Sequence, residues 1–185
     1  MCRNAYFNLK NLSRIRGSLD KDVTKIAINA LVTPHLDYGN GLLLGISKKL
    51  LNKLQVAQNS AVRLIERLKR DDNITDHRKN LHWLPIPARC RFKILTTAWK
   101  ALNGQAPHYI KQLLRIKKPH NINLRSNKKM QLKTQAVPGN SYSDRAFSLA
   151  IPELWNDLPE KVKNSKTLQS FKKNLKTHLF KKFYL

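Results

Sequence analysis

Between Asp76 and Asp144 the chain contains no acidic residue, while lysines and arginines recur throughout that stretch. A fold built from such a segment cannot neutralise its cations internally. It has to bury an apolar stripe, turn the charge outward and leave the positive potential to be met by something else. The rest of the chain does not compensate. Over 185 residues there are 36 Lys and Arg against 11 Asp and Glu, a formal charge of +25. Residues 71–143 carry 14 basic and 3 acidic side chains, the most one-sided balance along the chain. Nucleic acid is the commonest polyanion to satisfy such a surface, and an anionic membrane surface is its main rival. A hydrophobic fraction of 41% leaves enough apolar material for a core, which separates this charge from that of a disordered tail.

The apolar residues repeat at helical spacing. Ala5, Leu9, Leu12 and Ile15 mark a first helix that Gly17 stops. A second begins near Lys21, with Val23, Ile26, Ala27, Ala30 and Leu31 on one side and Asp20 or Asp22 at its positive end, and Pro34 interrupts it. Three glycines between Leu36 and Ile46 predict a tight turn. Ser47 then stands at the cap position of the clearest helix, whose stripe is Leu50, Leu54, Ala57, Ala61, Leu64, Ile65 and Leu68. Lys48, Lys49, Lys53, Arg63 and Arg67 lie off it. The polar run Lys69–Thr75 predicts a connection between subdomains. Beyond it, His82 to Pro87 is stiffened by two prolines and leads into a helix marked by Phe92, Leu95, Trp99 and Leu102, closed by Asn103-Gly104. A short helix opens at Pro107. Arg115 to Gln135 has no clear period and reads as a basic arm, with a strand near Met130–Val137 and a turn at Pro138-Gly139-Asn140. Two helices close the chain, one over Ser143–Leu158 broken at Pro152, the other over Leu168–Phe183.

Tests for chemistry come out negative. Two-metal phosphoryl chemistry needs carboxylates that hold both ions, and the only adjacent acidic pair, Asp71-Asp72, is flanked by Lys69, Arg70 and Asn73 rather than by apolar strand residues. No P-loop, GxSxG or HExxH pattern occurs. His77, His82 and Cys90 match no common zinc spacing and lack a fourth ligand. Cys2 and Cys90 are the only cysteines, with no CxxC, which excludes a disulfide framework and fits a reducing compartment. The N-terminus lacks a signal-peptide apolar region, although its freedom from acids as far as Leu19 superficially suits a mitochondrial presequence. No apolar run reaches the roughly 18–20 residues that span a bilayer. Trp99 and Trp155 fall on apolar stripes and are expected in the core. Trp83, at an element boundary beside a basic helix, is less clearly placed between core packing and stacking on a base.

Beyond periodicity, several blocks carry a resemblance. LVTPHLDYGNGLLLG from Leu31, LQVAQNSAVRLI from Leu54, LHWLPI from Leu81, RFKIL from Arg91 and KALNGQAPHYI from Lys100 follow one another. DRAFS from Asp144, AIPELWNDLP from Ala150 and LQSFKKNLKTHLF from Leu168 continue the series. In this order they resemble the region behind the polymerase motifs in jockey-like and chicken-repeat-like LINE (non-LTR retrotransposon) reverse transcriptases, over nearly the whole chain. The resemblance implies a parent protein with an endonuclease and an RNA-directed DNA polymerase upstream. It implies that Met1 falls where that parent would continue, as in a truncated copy. No catalytic residue carries over, and the Cys/His knuckle of some related lineages is missing.

The fold expected is mainly α, in two small helical subdomains with at most a small β-hairpin near residues 130–142. Residues 1–70 are expected to form a thumb-like helical segment, and residues 71–185 a basic helical C-terminal domain with a basic arm at 115–135. The function expected is non-catalytic gripping of template RNA, target DNA or their hybrid through phosphates. Arg89, Arg91, Lys93, Arg115, Lys117, Lys118, Arg125, Lys128, Lys129 and Lys133 are the candidate contacts. The alternative is a helical docking module that packs on the upstream polymerase domain; exposed apolar surface within residues 1–70 would favour it. No cofactor, metal, membrane or small-molecule substrate is expected, and the compartment expected is nuclear or cytoplasmic.

Overall fold

A computed structural model of the protein describes residues 1–117, 131–134 and 147–185. The described residues are mainly α-helical. Their one extended pairing is a single antiparallel bridge between Ile116 and Leu132. The hairpin expected at 130–142 lies for the most part outside the described residues. Two compact units are distinguished, Met1–Cys90 with Phe183–Leu185, and Arg91–Lys182.

In the first unit, helix α1 (Cys2–Ile15) buries Ala5, Leu9 and Leu12, as its spacing predicts, and leaves Ile15 exposed. A 3-10 turn at Arg16–Ser18 follows. Helix α2 (Lys21–Leu31) starts where Asp20 caps it, the carboxylate accepting the Val23 N–H at 2.7 Å. Its buried side is not the expected one. Thr24 and Ile28 point inward, while Val23, Ile26 and Leu31 are 45%, 67% and 48% exposed. Thr24 can occupy the core because its hydroxyl donates to the Asp20 carbonyl at 2.6 Å, so no polar atom is stranded. Pro34 ends α2 and sits in the first turn of α3 (Thr33–Asp37), where its missing N–H costs nothing. A second 3-10 turn (Asn40–Leu43) opens at Gly39, whose φ of +58° suits glycine.

Helix α4 (Lys48–Glu66) forms the spine of this unit. Leu54, Ala57, Gln58, Ala61, Val62 and Ile65 are buried, whereas Leu50, one turn ahead of the core, is 49% exposed. Ser47 holds the cap position without a hydroxyl hydrogen bond. Two glutamines of α4 tie it to the segment that begins at Leu81. Gln58 Nε2 donates to the Leu84 carbonyl and Gln55 Oε1 accepts the Ile86 N–H, each at 2.9 Å, pinning the proline-stiffened segment to α4. Helix α5 (Ile74–Asn80) occupies part of what the sequence reads as polar connection. Ile74, Leu81, Ile86 and Cys90 join the same buried cluster as Ile65, and the first compact unit accordingly runs to Cys90. Trp83 packs against that cluster, and the Tyr184 hydroxyl donates to its carbonyl at 2.6 Å.

The second unit takes in most of α6 (Ile86–Leu102), then α7 (His108–Gln112), α8 (Phe147–Asn156), α9 (Glu160–Lys163) and most of α10 (Leu168–Tyr184). Gly104, at φ +72°, follows α6 as a left-handed cap. Trp99, Trp155 and Phe171 make a stacked aromatic centre, with centroid separations of 5.6 Å and 6.1 Å about Phe171. Both tryptophans are thus core residues. Helix α8 continues through Pro152 instead of breaking there. Ile151 and Trp155 are fully buried on either side, and that packing holds the helix across one absent hydrogen bond. In α10, Phe171, Leu175 and Leu179 are buried and Lys172, Lys173, Lys176 and Lys181 exposed, as the periodicity predicts.

Candidate nucleic-acid interface

Leu114 and Leu132 are buried and fix two short extended segments side by side. The Lys117 N–H donates to the Gln131 carbonyl at 2.9 Å and the Lys133 N–H to the Arg115 carbonyl at 2.8 Å. Alternation along an extended chain sends the neighbours of an inward residue outward. Leu132 is 1% exposed, and Arg115, Lys117 and Lys133 are all exposed. Arg115 stands opposite Lys133, with Lys117 two positions further along. Like charges directly opposed destabilise a strand pair, and among the described residues no ion pair involves any of the three. The bridge thus places three exposed cations on neighbouring backbone positions, with no acidic partner among the described residues.

What holds this bridge is a residue that charge and periodicity do not single out. The Asn156 side chain, at the end of α8, meets Leu132 with both ends of its carboxamide. Oδ1 accepts the Leu132 N–H and Nδ2 donates to the Leu132 carbonyl, each at 2.9 Å. Asn156 thus acts as a third strand one residue long. Its own carbonyl accepts Lys163 Nζ at 2.8 Å. The signal in the sequence is the block AIPELWNDLP, where a polar residue directly follows a core tryptophan.

The remaining candidates are scattered. Arg89, in the first unit, is bound by both guanidinium edges to Asp37, with Nε at 2.8 Å from Oδ1 and Nη2 against Oδ2. Its charge is therefore already neutralised. Arg91 is half-buried and lies in the field of Asp157, while Lys93 is exposed on α6. Lys118, Arg125, Lys128 and Lys129 fall outside the described residues. Asp157 pairs with Lys182 at 2.5 Å, which holds its carboxyl below the usual range. His178 nearby has its imidazole pushed down by burial and by Lys182.

For chemistry the described residues offer little. Asp71 and Asp72 are exposed in a turn, and Asp72 Oδ2 accepts the Lys69 N–H at 2.6 Å. His77 Nδ1 lies 4.0 Å from Glu66. Burial pushes the Cys90 thiol up to about 11, the wrong direction for a nucleophile or metal ligand at neutral pH. Among the described residues no three His, Cys, Asp or Glu side chains converge on a metal position, and no helix is long and apolar enough to cross a membrane.

No family model, curated protein or solved structure matches the chain.

Proposed function

We propose that the chain grips nucleic acid through phosphate contacts, without a catalytic centre of its own, as the part of a LINE-type reverse transcriptase behind the polymerase. The observation that supports this reading is the bridge that sets the exposed residues Arg115, Lys117 and Lys133 on neighbouring backbone positions, with no acidic partner among the described residues. Lysine and arginine contacts to phosphate supply affinity without reading sequence. The chain should therefore bind RNA, DNA and hybrid alike. The test is anisotropy at low salt with fluorescein-labelled RNA, duplex DNA and hybrid, comparing the parent with the Arg115→Gln, Lys117→Gln, Lys133→Gln triple variant. Affinity falls on all three ligands, and the circular dichroism of the variant is unchanged. Equal affinity in parent and variant contradicts the reading.

One observation favours a second reading, a helical docking module. On α2, Val23, Ile26 and Leu31 present an apolar side that no other described residue covers, and Phe7 on α1 is 64% exposed. The polymerase domain implied by the resemblance would cover such a surface. Under this reading Ile26→Lys with Phe7→Lys abolishes association with that domain and leaves nucleic-acid affinity unchanged or higher; association that survives the pair removes it.

A further inference from the structure

A groove of about 620 Å³ runs between α1 and the C-terminal half of α4, within the first unit. Its apolar walls include Tyr6, Leu64 and Leu68, and its polar edge includes Lys10, Arg63 and Arg67. Among the described residues no carboxylate lines it. The cations are not random surface charges. Arg63 is anchored by donating Nε to the Lys69 carbonyl at 3.2 Å and Nη2 to the Arg70 carbonyl at 2.9 Å, and Arg67 reaches the Arg16 carbonyl. The two guanidinium groups are held at the groove by carbonyl oxygens, which orient them without cancelling their charge. Tyr6 is 41% exposed there, and Leu64 and Leu68 are partly buried, so apolar surface remains open between the cations.

We infer that this groove binds an acidic amphipathic helix of another protein, leucine-like side chains on the floor and carboxylates toward Lys10, Arg63 and Arg67. A helix laid in a groove anchors through apolar residues at i, i+3, i+4 and i+7, and the edge charges select an acidic flank. A second copy of this chain is the wrong occupant: it carries +25, and among its acids Asp37 and Glu66 are already in ion pairs. A nucleic-acid strand is disfavoured by the floor. Sites for unpaired bases stack them on successive aromatic rings, and Tyr6 is the single ring among the lining residues. The site belongs to the first unit and does not depend on the reading given to Arg115, Lys117 and Lys133.

The test uses the full chain and a fluorescein-labelled synthetic peptide of about 14 residues with leucines at i, i+3, i+4 and i+7 and glutamates between them. A control peptide of equal charge has serine for leucine, and a single-stranded oligonucleotide of equal charge is titrated separately. Ser13→Trp fills the groove without changing charge, and Lys10→Glu reverses one edge charge; both positions are exposed on α1. The leucine peptide binds the parent at least about tenfold tighter than the serine peptide, and each variant weakens it by about tenfold, an effect of the size expected for one good anchor. Oligonucleotide binding is unchanged by Ser13→Trp. Thermal melting of the variants matches the parent, which separates occlusion from unfolding; Ser60→Trp, on the facing helix, replaces Ser13→Trp if it does not. Equal binding of the two peptides, or loss of oligonucleotide affinity in the filled variant, overturns the proposal. The first result leaves bulk charge as the attraction, and the second makes nucleic acid the occupant.

Discussion

Asn156 and Arg16 show how much of this protein rests on single polar side chains that satisfy backbone. Arg16 is 8% exposed, and its guanidinium donates to the carbonyls of Leu64 at 2.7 Å, Ile65 at 2.8 Å and Leu19 at 2.6 Å. Two of those oxygens belong to the last turn of α4, where a cation is favoured by the helix dipole. Replacing Arg16 with Met leaves buried carbonyls without donors and is expected to cost roughly 3 kcal/mol, read as a lowered denaturation midpoint. A loss under about 0.5 kcal/mol would show that water substitutes freely for the guanidinium. Asn156→Ala removes both bonds to Leu132, at a cost of about 1–3 kcal/mol. Hydrogen exchange at the Leu132 amide should accelerate, and nucleic-acid affinity should fall although no cation has been touched. Unchanged exchange would mean that Leu132 is held by burial alone. Neither role was legible from charge or periodicity: an arginine at a helix end reads as solvated, and an asparagine after a tryptophan reads as a cap.

At the scale of elements, periodicity located the helices better than it located their buried sides. On α10 the apolar stripe is the buried one, and on α1 the stripe is buried at Ala5, Leu9 and Leu12 but runs out at Ile15, with Phe7 exposed off it. On α2 two sides are apolar, and the inward one, Thr24 and Ile28, contains a threonine that a hydropathy reading discounts. Ile28→Ala is accordingly expected to cost about 2–5 kcal/mol, whereas Ile26→Lys stays within about 0.5 kcal/mol; a denaturant titration of the two variants that reversed this order would contradict the packing of α2. Helix α5 was hidden because short polar sequences show little period, although Asn73, whose side chain accepts the Thr75 N–H at 2.9 Å, announces its start. In the second unit, Asp157 and His178 both have folded proton affinities below their unfolded values. For each, the unfolded chain binds more protons, so stability rises with pH. The stabilisation associated with His178 is full above the usual histidine range near 6.5 and is lost as pH falls through its lower folded value; that of Asp157 is lost at more acid pH. Melting temperature should therefore drop on acidification below about pH 6.5, and the drop should begin at lower pH in His178→Gln. Identical pH profiles in parent and variant would remove His178 from this account.

For the whole molecule, charge sets the terms. The net +25 and the acid-free stretch were readable at once, and so was the mainly helical fold, because the apolar stripes are long. The sequence does not disclose that a single backbone bridge, fixed by a residue from α8, gathers Arg115, Lys117 and Lys133, because the pairing joins residues on either side of a long basic segment. Nor does it disclose that Arg89 spends its charge on Asp37, since the two lie far apart in sequence. In the proposed function, the cations at the bridge contact phosphate. The most direct measurement is the slope of log affinity against log salt on duplex DNA, for the parent, the triple glutamine variant at Arg115, Lys117 and Lys133, and a control triple at Lys161, Lys166 and Lys181. Each phosphate contact contributes about 0.9 to that slope. The bridge variant should be flatter than the parent by roughly 2–3 units, with a smaller change in the control that has lost the same charge. Equal slopes in the bridge variant and the control would mean that the bridge cations are solvated like any others, and would contradict the account.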